Sequence, residues 1–213
     1  MSTKSLETAD ESRSDRTRAD ILAIATEEFA DKGFSGARID EIAERTNTSK
    51  RMIYYYFGGK EGLYRSVLEA AYSGIRTTEA VAELDSLSPI EALARLTEIT
   101  FDYHLHHPEF VRLVMNENIQ RGSVIATIDS TRSRNDSVVG MIGRLLERGV
   151  AEGVFREGID PFDLHMTMSA LGFYNVSNRY TLGKIFAVDM QAPDMIARRR
   201  ASVIHTVIAS CRR

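Results

Sequence analysis

Cysteine is almost absent from this chain. Cys211 is the single one among 213 residues, so no disulfide can form within the chain, and a reducing compartment is expected. Proline occurs four times and tryptophan not at all, which leaves long stretches free of the residue that most reliably breaks helices. No uninterrupted apolar run approaches the ~20 residues of a membrane span. The polar opening MSTKSLETADESRSDR has no apolar core of a signal sequence either. A soluble, cytoplasmic protein is therefore expected. The formal net charge is only −3, so any surface for nucleic acid has to be local, and a uniformly basic architectural DNA-binding protein is disfavoured. A phosphate-binding glycine loop, a nucleophile elbow and an HExxH pair are all missing, so neither catalysis nor a cofactor is expected.

What remains is an ordinary globular balance, 43% hydrophobic and 27% charged, with apolar residues at helical rather than alternating spacing. The expected fold is all-α. Residues 1–14 are polar and featureless and read as a flexible arm. Ile21, Leu22, Ala25 and Phe29 then line one helical face, and the helix should stop at Gly33, which supplies a left-handed exit. A short helix from Ile39 to Arg45 would bury Ile39, Ile42 and Ala43. A third should open at Ser49, a good N-cap, and run through Lys-Arg-Met-Ile-Tyr-Tyr-Tyr to Phe57, where Gly58-Gly59 end it.

Two short helices joined by a tight turn make a helix-turn-helix, and Asn47 suits the positive φ such a turn wants. No acidic residue occurs between Thr46 and Lys60. A basic stretch with interleaved tyrosines is what a helix in the major groove should carry. Lys50 and Arg51 would point at base edges, where arginine can read guanine through two hydrogen bonds. Tyr54 and Tyr55 can reach phosphates or thymine methyl groups. Lys60, with the free amides of the next helix, can meet a backbone phosphate.

The pattern Ile21-Leu-x-x-Ala25-x-x-x-Phe29-x-x-x-Gly33-Phe34, then Ile39-x-x-Ile42-Ala43, then Ser49-Lys-x-x-Ile53-Tyr54-x-Tyr56-Phe57-x-x-Lys60-Glu61-x-Leu63 resembles the DNA-binding domain of the TetR (tetracycline repressor) family. The resemblance implies phosphate contacts by Tyr54 and Lys60, and DNA contacts by Lys50, Arg51 and Tyr55, with Ser49 at the same helix start. Arg38 stands where the family usually has a threonine that caps the second helix and holds a phosphate; arginine can hold the phosphate but caps less well. Asn47-Thr48 replaces the usual Gly-Val of the turn. The resemblance further implies about nine helices, a DNA-binding domain over 15–75 with its helix-turn-helix at about 38–57, and a ligand-binding and dimerisation domain over 76–213.

In that second region a long helix is expected from Lys60 to about Glu79, and another from Pro89 to the His107-Pro108 break. Helices over 109–120 and about 125–152 follow, then a turn at 153–158. Asp160-Pro161 is a start signal for a helix running to about Tyr180, and after a mixed linker the last helix spans Pro193 to Cys211. Apolar faces on the last two long helices (Met166, Ala170, Phe173 and Tyr174; Val203, Ile204, Val207 and Ile208) could fill the chain's own core or pack on a symmetry mate. With the family resemblance the second use, a homodimer on a double-stranded DNA operator, is expected.

The resemblance implies a small-molecule pocket, for which the interior candidates are Phe101, His104, Met115, Asn118, Arg121, His165, Met168 and Phe173, with Asn116, Asn175 and Asn178 as further polar candidates. His104 and His107 have i, i+3 spacing, but Pro108 follows at once and no cysteine lies near, so no metal is expected. The expected function is a transcriptional repressor released from a near-palindromic operator when a small molecule fills this pocket. The alternatives are an activator or a ligand-independent DNA-binding protein.

Overall fold

A computed structural model describes residues 3–80 and 83–213; the side chains of 3–13, 80 and 130–136 lie outside the described set. Ten α-helices occur among the described residues: α1 (Thr3–Gly36), α2 (Ile39–Arg45), α3 (Lys50–Phe57), α4 (Lys60–Ala80), α5 (Pro89–His106), α6 (Pro108–Ile119), α7 (Asp129–Ala151), α8 (Pro161–Ser177), α9 (Arg179–Phe186) and α10 (Pro193–Cys211). Short 3-10 turns at Leu84–Ser86 and Ile125–Thr127 precede α5 and α7.

Two differences from the sequence expectation have clear causes. The segment expected as a flexible arm is helical from Thr3, because neither glycine nor proline interrupts residues 3–32 and the helix nucleated by the Ile21–Phe29 face extends backwards at little cost. The linker after α8 contains α9. Asn178 (φ −108°, ψ 5°) breaks α8 one residue after Ser177, and α9 is only eight residues long, too short for Leu182, Ile185 and Phe186 to stand out from a linker as a helical stripe.

The chain divides into two compact units. The first comprises residues 1–71 with 112–128, and the second comprises 72–111 with 129–213. In the first, Ile21, Ala25 and Phe29 of α1 meet Ile42 of α2, Ile53 and Phe57 of α3, and Leu63, Tyr64, Val67 and Leu68 of α4 around one core. Gly33 ends the regular part of α1 at φ 67°, ψ 174°, a region essentially restricted to glycine. The far part of α6 joins this unit through Leu113, through Asn116, whose Nδ2 donates to the carbonyls of Phe29 (3.2 Å) and Ala30 (3.3 Å), and through Arg112, paired with Asp31 at 2.6 Å. The buried Glu117 side chain accepts from the Tyr64 hydroxyl (3.0 Å) and from the amides of Val124 and Ile125 (3.2 and 3.0 Å), so both of its oxygens have hydrogen-bond partners.

In the second unit α5 lies against α7, α8 and α10. Leu93 and Leu96 meet Ile142 and Leu146, Phe155, Leu164 and Met168, and Val207 and Cys211 in a second core. Asp160 caps α8 by accepting from the amide of Asp163 at 2.9 Å, with Pro161 at the first helical position as expected. The apolar row of α10 turns inward: Val203, Val207 and Cys211 are buried in the chain's own core. On α8 the opposite holds, since Phe162, Met166 and Tyr174 stand exposed.

Candidate functional site

The first unit presents α3 on a fixed platform. Ile53 and Phe57 anchor its inner side. Ser49 is its N-cap, accepting from the Met52 amide at 3.3 Å, and Gly58 closes it in the left-handed conformation, φ 73°. The turn from α2 uses Asn47 at φ 47°, with Thr48 N–H donating to Ala43 O at 3.0 Å. Ala43, where the helices approach, is buried. Arg38 occupies the N-cap of α2 in extended conformation without a side-chain cap; the Glu28 carboxylate accepts its amide at 3.3 Å instead, and Asp40 and Glu41 in the first turn favour the positive end of the helix dipole.

The outward side of α3 carries Lys50, Arg51, Tyr54 and Tyr55, with the two tyrosines 56% and 77% exposed. Lys50 reaches back to Asp40 on α2 in an ion pair. Arg51 is exposed and has no ion-pair partner among the described residues. Lys60, at the first position of α4, lies 5.0 Å over the Phe34 ring and 3.4 Å from the Ser35 carbonyl. Arg38, Ser49, Lys50, Arg51, Tyr54 and Tyr55 are all exposed, and Lys60 is half-buried.

The residues expected around a ligand do not gather. Met115, Asn118 and Arg121 belong to the first unit and are exposed. Helical spacing turns Leu113, Asn116 and Glu117 of α6 inward and therefore 115 and 118 outward, and Asn118 folds back on the Val114 carbonyl at 2.8 Å. Phe101, His104, His165, Met168 and Phe173 belong to the second unit, with Met168 part of its core.

Around His104 and His165 the second unit assembles a polar cluster that includes two residues the sequence reading missed, Arg76 and Glu79. An Arg–Glu pair near the end of a long helix ordinarily reads as a solvated surface pair. Here Glu79 is buried and Arg76 nearly so, their guanidinium and carboxylate 2.6 Å apart, with Thr100 Oγ1 3.4 Å from the second carboxylate oxygen. The His104 ring stacks on Phe110 (centroids 5.8 Å) and meets Phe173 edge-on (5.9 Å). Gly172 admits it: a Cβ there would come within 2.9 Å of His104 Nδ1. Three buried polar atoms, Arg76 Nε, His104 Nδ1 and Asn175 Oδ1, have no hydrogen-bond partner among the described residues. A cavity of about 300 Å³ opens beside Arg76 and Glu79, with Leu84, Val138 and Met141 on its apolar side and Arg144 at its edge.

Burial, reinforced by the positive charge of Arg76, pushes both His104 and His165 down to about 4. Both rings are thus neutral at pH 7. A histidine with a lowered native pKa withholds a proton that the unfolded chain accepts below its ordinary value near ~6.5. Stability should therefore be fully present above pH ~6.5 and fall towards pH 4, by at most ~1.4 kcal/mol per pH unit for each ring. Urea titrations at pH 7 and pH 5 on wild type and His104→Phe measure this, and the variant should show a shallower fall. Equal slopes would mean that His104 charges in the folded protein.

Two family profiles match the chain. "Bacterial regulatory proteins, tetR family" covers residues 21–67, and "Tetracyclin repressor-like, C-terminal domain" covers 89–207. Among characterised proteins, the HTH-type transcriptional repressor NicS of Pseudomonas putida is 38% identical over 178 residues, 84% of either chain. The HTH-type transcriptional repressor SCO4008 of Streptomyces coelicolor is 31% identical over 160 residues, 75% of this chain and 78% of that one. A crystallised TetR family transcription regulator from Marinobacter aquaeolei superposes with a TM-score of 0.72 at 18% identity, covering 95% of this chain and 98% of the other; at that identity the likeness speaks for the fold alone. With an exposed, acid-free third helix on a helix-turn-helix platform, a helical second unit, and both halves matched by profiles of one family, this chain belongs to the tetR family of bacterial DNA-binding transcriptional regulators.

Proposed function

We propose that this protein is a non-catalytic cytoplasmic repressor that binds a near-palindromic operator as a homodimer and leaves it when a small molecule occupies the second unit. The observation that carries the DNA-binding part is α3 itself. Its inner side is anchored by Ile53 and Phe57, while Lys50, Arg51, Tyr54 and Tyr55 stand outward on a helix whose first turn holds no acidic residue. Arg51 is assigned to base edges; Tyr54, Lys60 and Arg38 to phosphates; Lys50 and Tyr55 to either; and Ser49 to holding the helix start. The names of the two relatives, both repressors, favour repression over activation. Dimerisation through α8 and α10 is supported by the exposed row Phe162, Met166 and Tyr174 on α8 and by the exposed small residues Ala201, Ser202 and Ala209 on α10, which permit close helix approach.

For the effector, the favoured site is the cavity beside Arg76 and Glu79, with the adjoining cluster of His104, His165 and Asn175 and the rings of Phe101 and Phe173 behind it, since buried polar atoms without partners are costly unless a ligand satisfies them. Occupancy shifts the operator equilibrium only by the ligand's differential affinity for the two states.

The test is selection of binding sites from genomic fragments, followed by affinity measurement on the selected operator. Arg51→Ala should weaken that operator ~10- to 100-fold and relax base preference, whereas Tyr54→Phe should weaken all sequences alike. An Arg51→Ala protein with wild-type affinity and preference would remove α3 from the interface.

A further inference from the structure

The segment between α8 and α10 is built unlike the rest of the second unit. α9 buries none of its residues, and an eight-residue helix has little intrinsic stability in water. It ends in four consecutive apolar residues, Ile185-Phe-Ala-Val188, all exposed, with Ile185 at 73% and Phe186 at 66%. The tip is held in shape by Ala187 in the left-handed conformation and by the Val188 amide donating to the Gly183 carbonyl at 3.2 Å. Such a run on a soluble protein marks a contact surface.

The same unit carries a matching receptor. An apolar groove of about 510 Å³ lies between the end of α7 and the start of α8, walled by Leu146, Val150, Ile159 and Pro161, and its charged lining is Glu147, Glu157 and Arg156, the last donating to the Ser210 carbonyl at 3.0 Å. Lys184, exposed beside the apolar tip, has the charge to face those carboxylates.

Helix geometry links the two features. The exposed residues Phe162, Met166, Ala170 and Tyr174 form an i, i+4 row along α8. If two copies bury this row on each other about a two-fold axis perpendicular to α8, with closest approach at Ala170, the small member of the row, their α8 helices run antiparallel. At 1.5 Å per residue, the start of α8 lies ~13 Å from that crossing and its end ~10 Å. The end of one α8, where α9 begins, therefore arrives beside the start of the partner's α8, where the groove opens. Phe162, Met166, Tyr174, Ile185 and Phe186 leave on the order of 500 Å² of apolar side chain uncovered, counting an aromatic at ~150–250 Å². With its polar surroundings this approaches the ~800 Å² per partner of a stable interface.

We infer that α9 is a clasp: the Ile185-Phe186 tip of each protomer seats in the Leu146–Val150–Ile159 groove of a second copy of this chain, twice per dimer. The clasp rests on the dimer reading above and adds to it a swapped contact that the α8 row alone does not require. Two measurements on the full-length protein test it. In sedimentation equilibrium, I185E/F186E should raise the dimer dissociation constant at least ~30-fold, an effect of the size of a buried hot spot. F186C/V150C should give a dimer-mass band on oxidation in non-reducing gels, whereas F186C alone should not. A wild-type monomer at micromolar concentration would overturn the dimer reading and the clasp with it. A wild-type dimer whose dissociation constant is unmoved by I185E/F186E, or an F186C/V150C protein that stays monomeric on the gel, would overturn the clasp while leaving the dimer intact.

Discussion

Glu79→Ala is expected to lower the unfolding free energy by about 3 kcal/mol at pH 7, near the lower end of the range for breaking one half of a buried ion pair. Burial drives the Glu79 carboxyl up and the Arg76 guanidinium down from their ordinary values, in each case ahead of the attraction between them. Desolvation thus opposes both charged forms, and the pair is expected to add little net stability. Removing Glu79 leaves a guanidinium whose Nε already lacks a partner among the described residues and whose side chain is only 11% exposed. The same logic gives the opposite result for the double change. Arg76→Met with Glu79→Leu replaces both charges by apolar groups of similar volume and should return stability to within ~1 kcal/mol of wild type. Urea denaturation of the two variants decides it. A double variant as unstable as Glu79→Ala would mean that the pair is a net structural tie. If the cluster is the effector site, the double variant should still bind operator and should no longer respond to effector.

Gly62→Ala should destabilise the first unit by about 3 kcal/mol, the upper end of the overpacking range. A Cβ at Gly62 would lie 1.8 Å from the Phe57 carbonyl oxygen and 3.1 Å from its carbon. The obstacle is backbone, so no side-chain rotation relieves it. The carbonyl belongs to the last residue of α3, which Gly58 and Gly59, at φ 73° and 128°, fold tightly against the first turn of α4. Relief requires α3 to move relative to α4, and that also displaces Arg51 and Tyr54, the residues proposed above to contact DNA. Operator affinity, measured by fluorescence anisotropy well below the melting temperature, should therefore fall more than ~10-fold even where the protein remains folded, since misaligned bidentate contacts forfeit 1–3 kcal/mol each. A variant with wild-type melting and wild-type affinity would show that the α3–α4 junction yields freely.

The helix-turn-helix was legible because every device in it is local. Gly33, Asn47, Ser49 and Gly58 each act on their own backbone or within one turn, so residue type at a position already implies the conformation. The exposure of Arg51, Tyr54 and Tyr55 follows from the period of a single helix once Ile53 and Phe57 are taken as its inner side. The polar cluster of the second unit was half legible. His104, His165 and Asn175 stood out as polar residues among apolar ones, but Asn116, Asn118 and Arg121 looked equivalent, and only the docking of α6 on α1 and α4 turned Asn116 onto α1 and the other two outward. Arg76 and Glu79 could not be picked out, because an i, i+3 pair has the same spacing whether water or protein surrounds it.

The sequence by itself therefore determined the helical class, the third helix with its caps and turn, and the family to which the chain belongs, since helical periodicity and capping depend on neighbours within about four residues. Tertiary structure decided which face of α10 fills the core and which face of α8 is left bare, which charges are buried, and that α9 stands without a core of its own. Those outcomes depend on burial, and burial arises from contacts between segments tens of residues apart that no local pattern encodes.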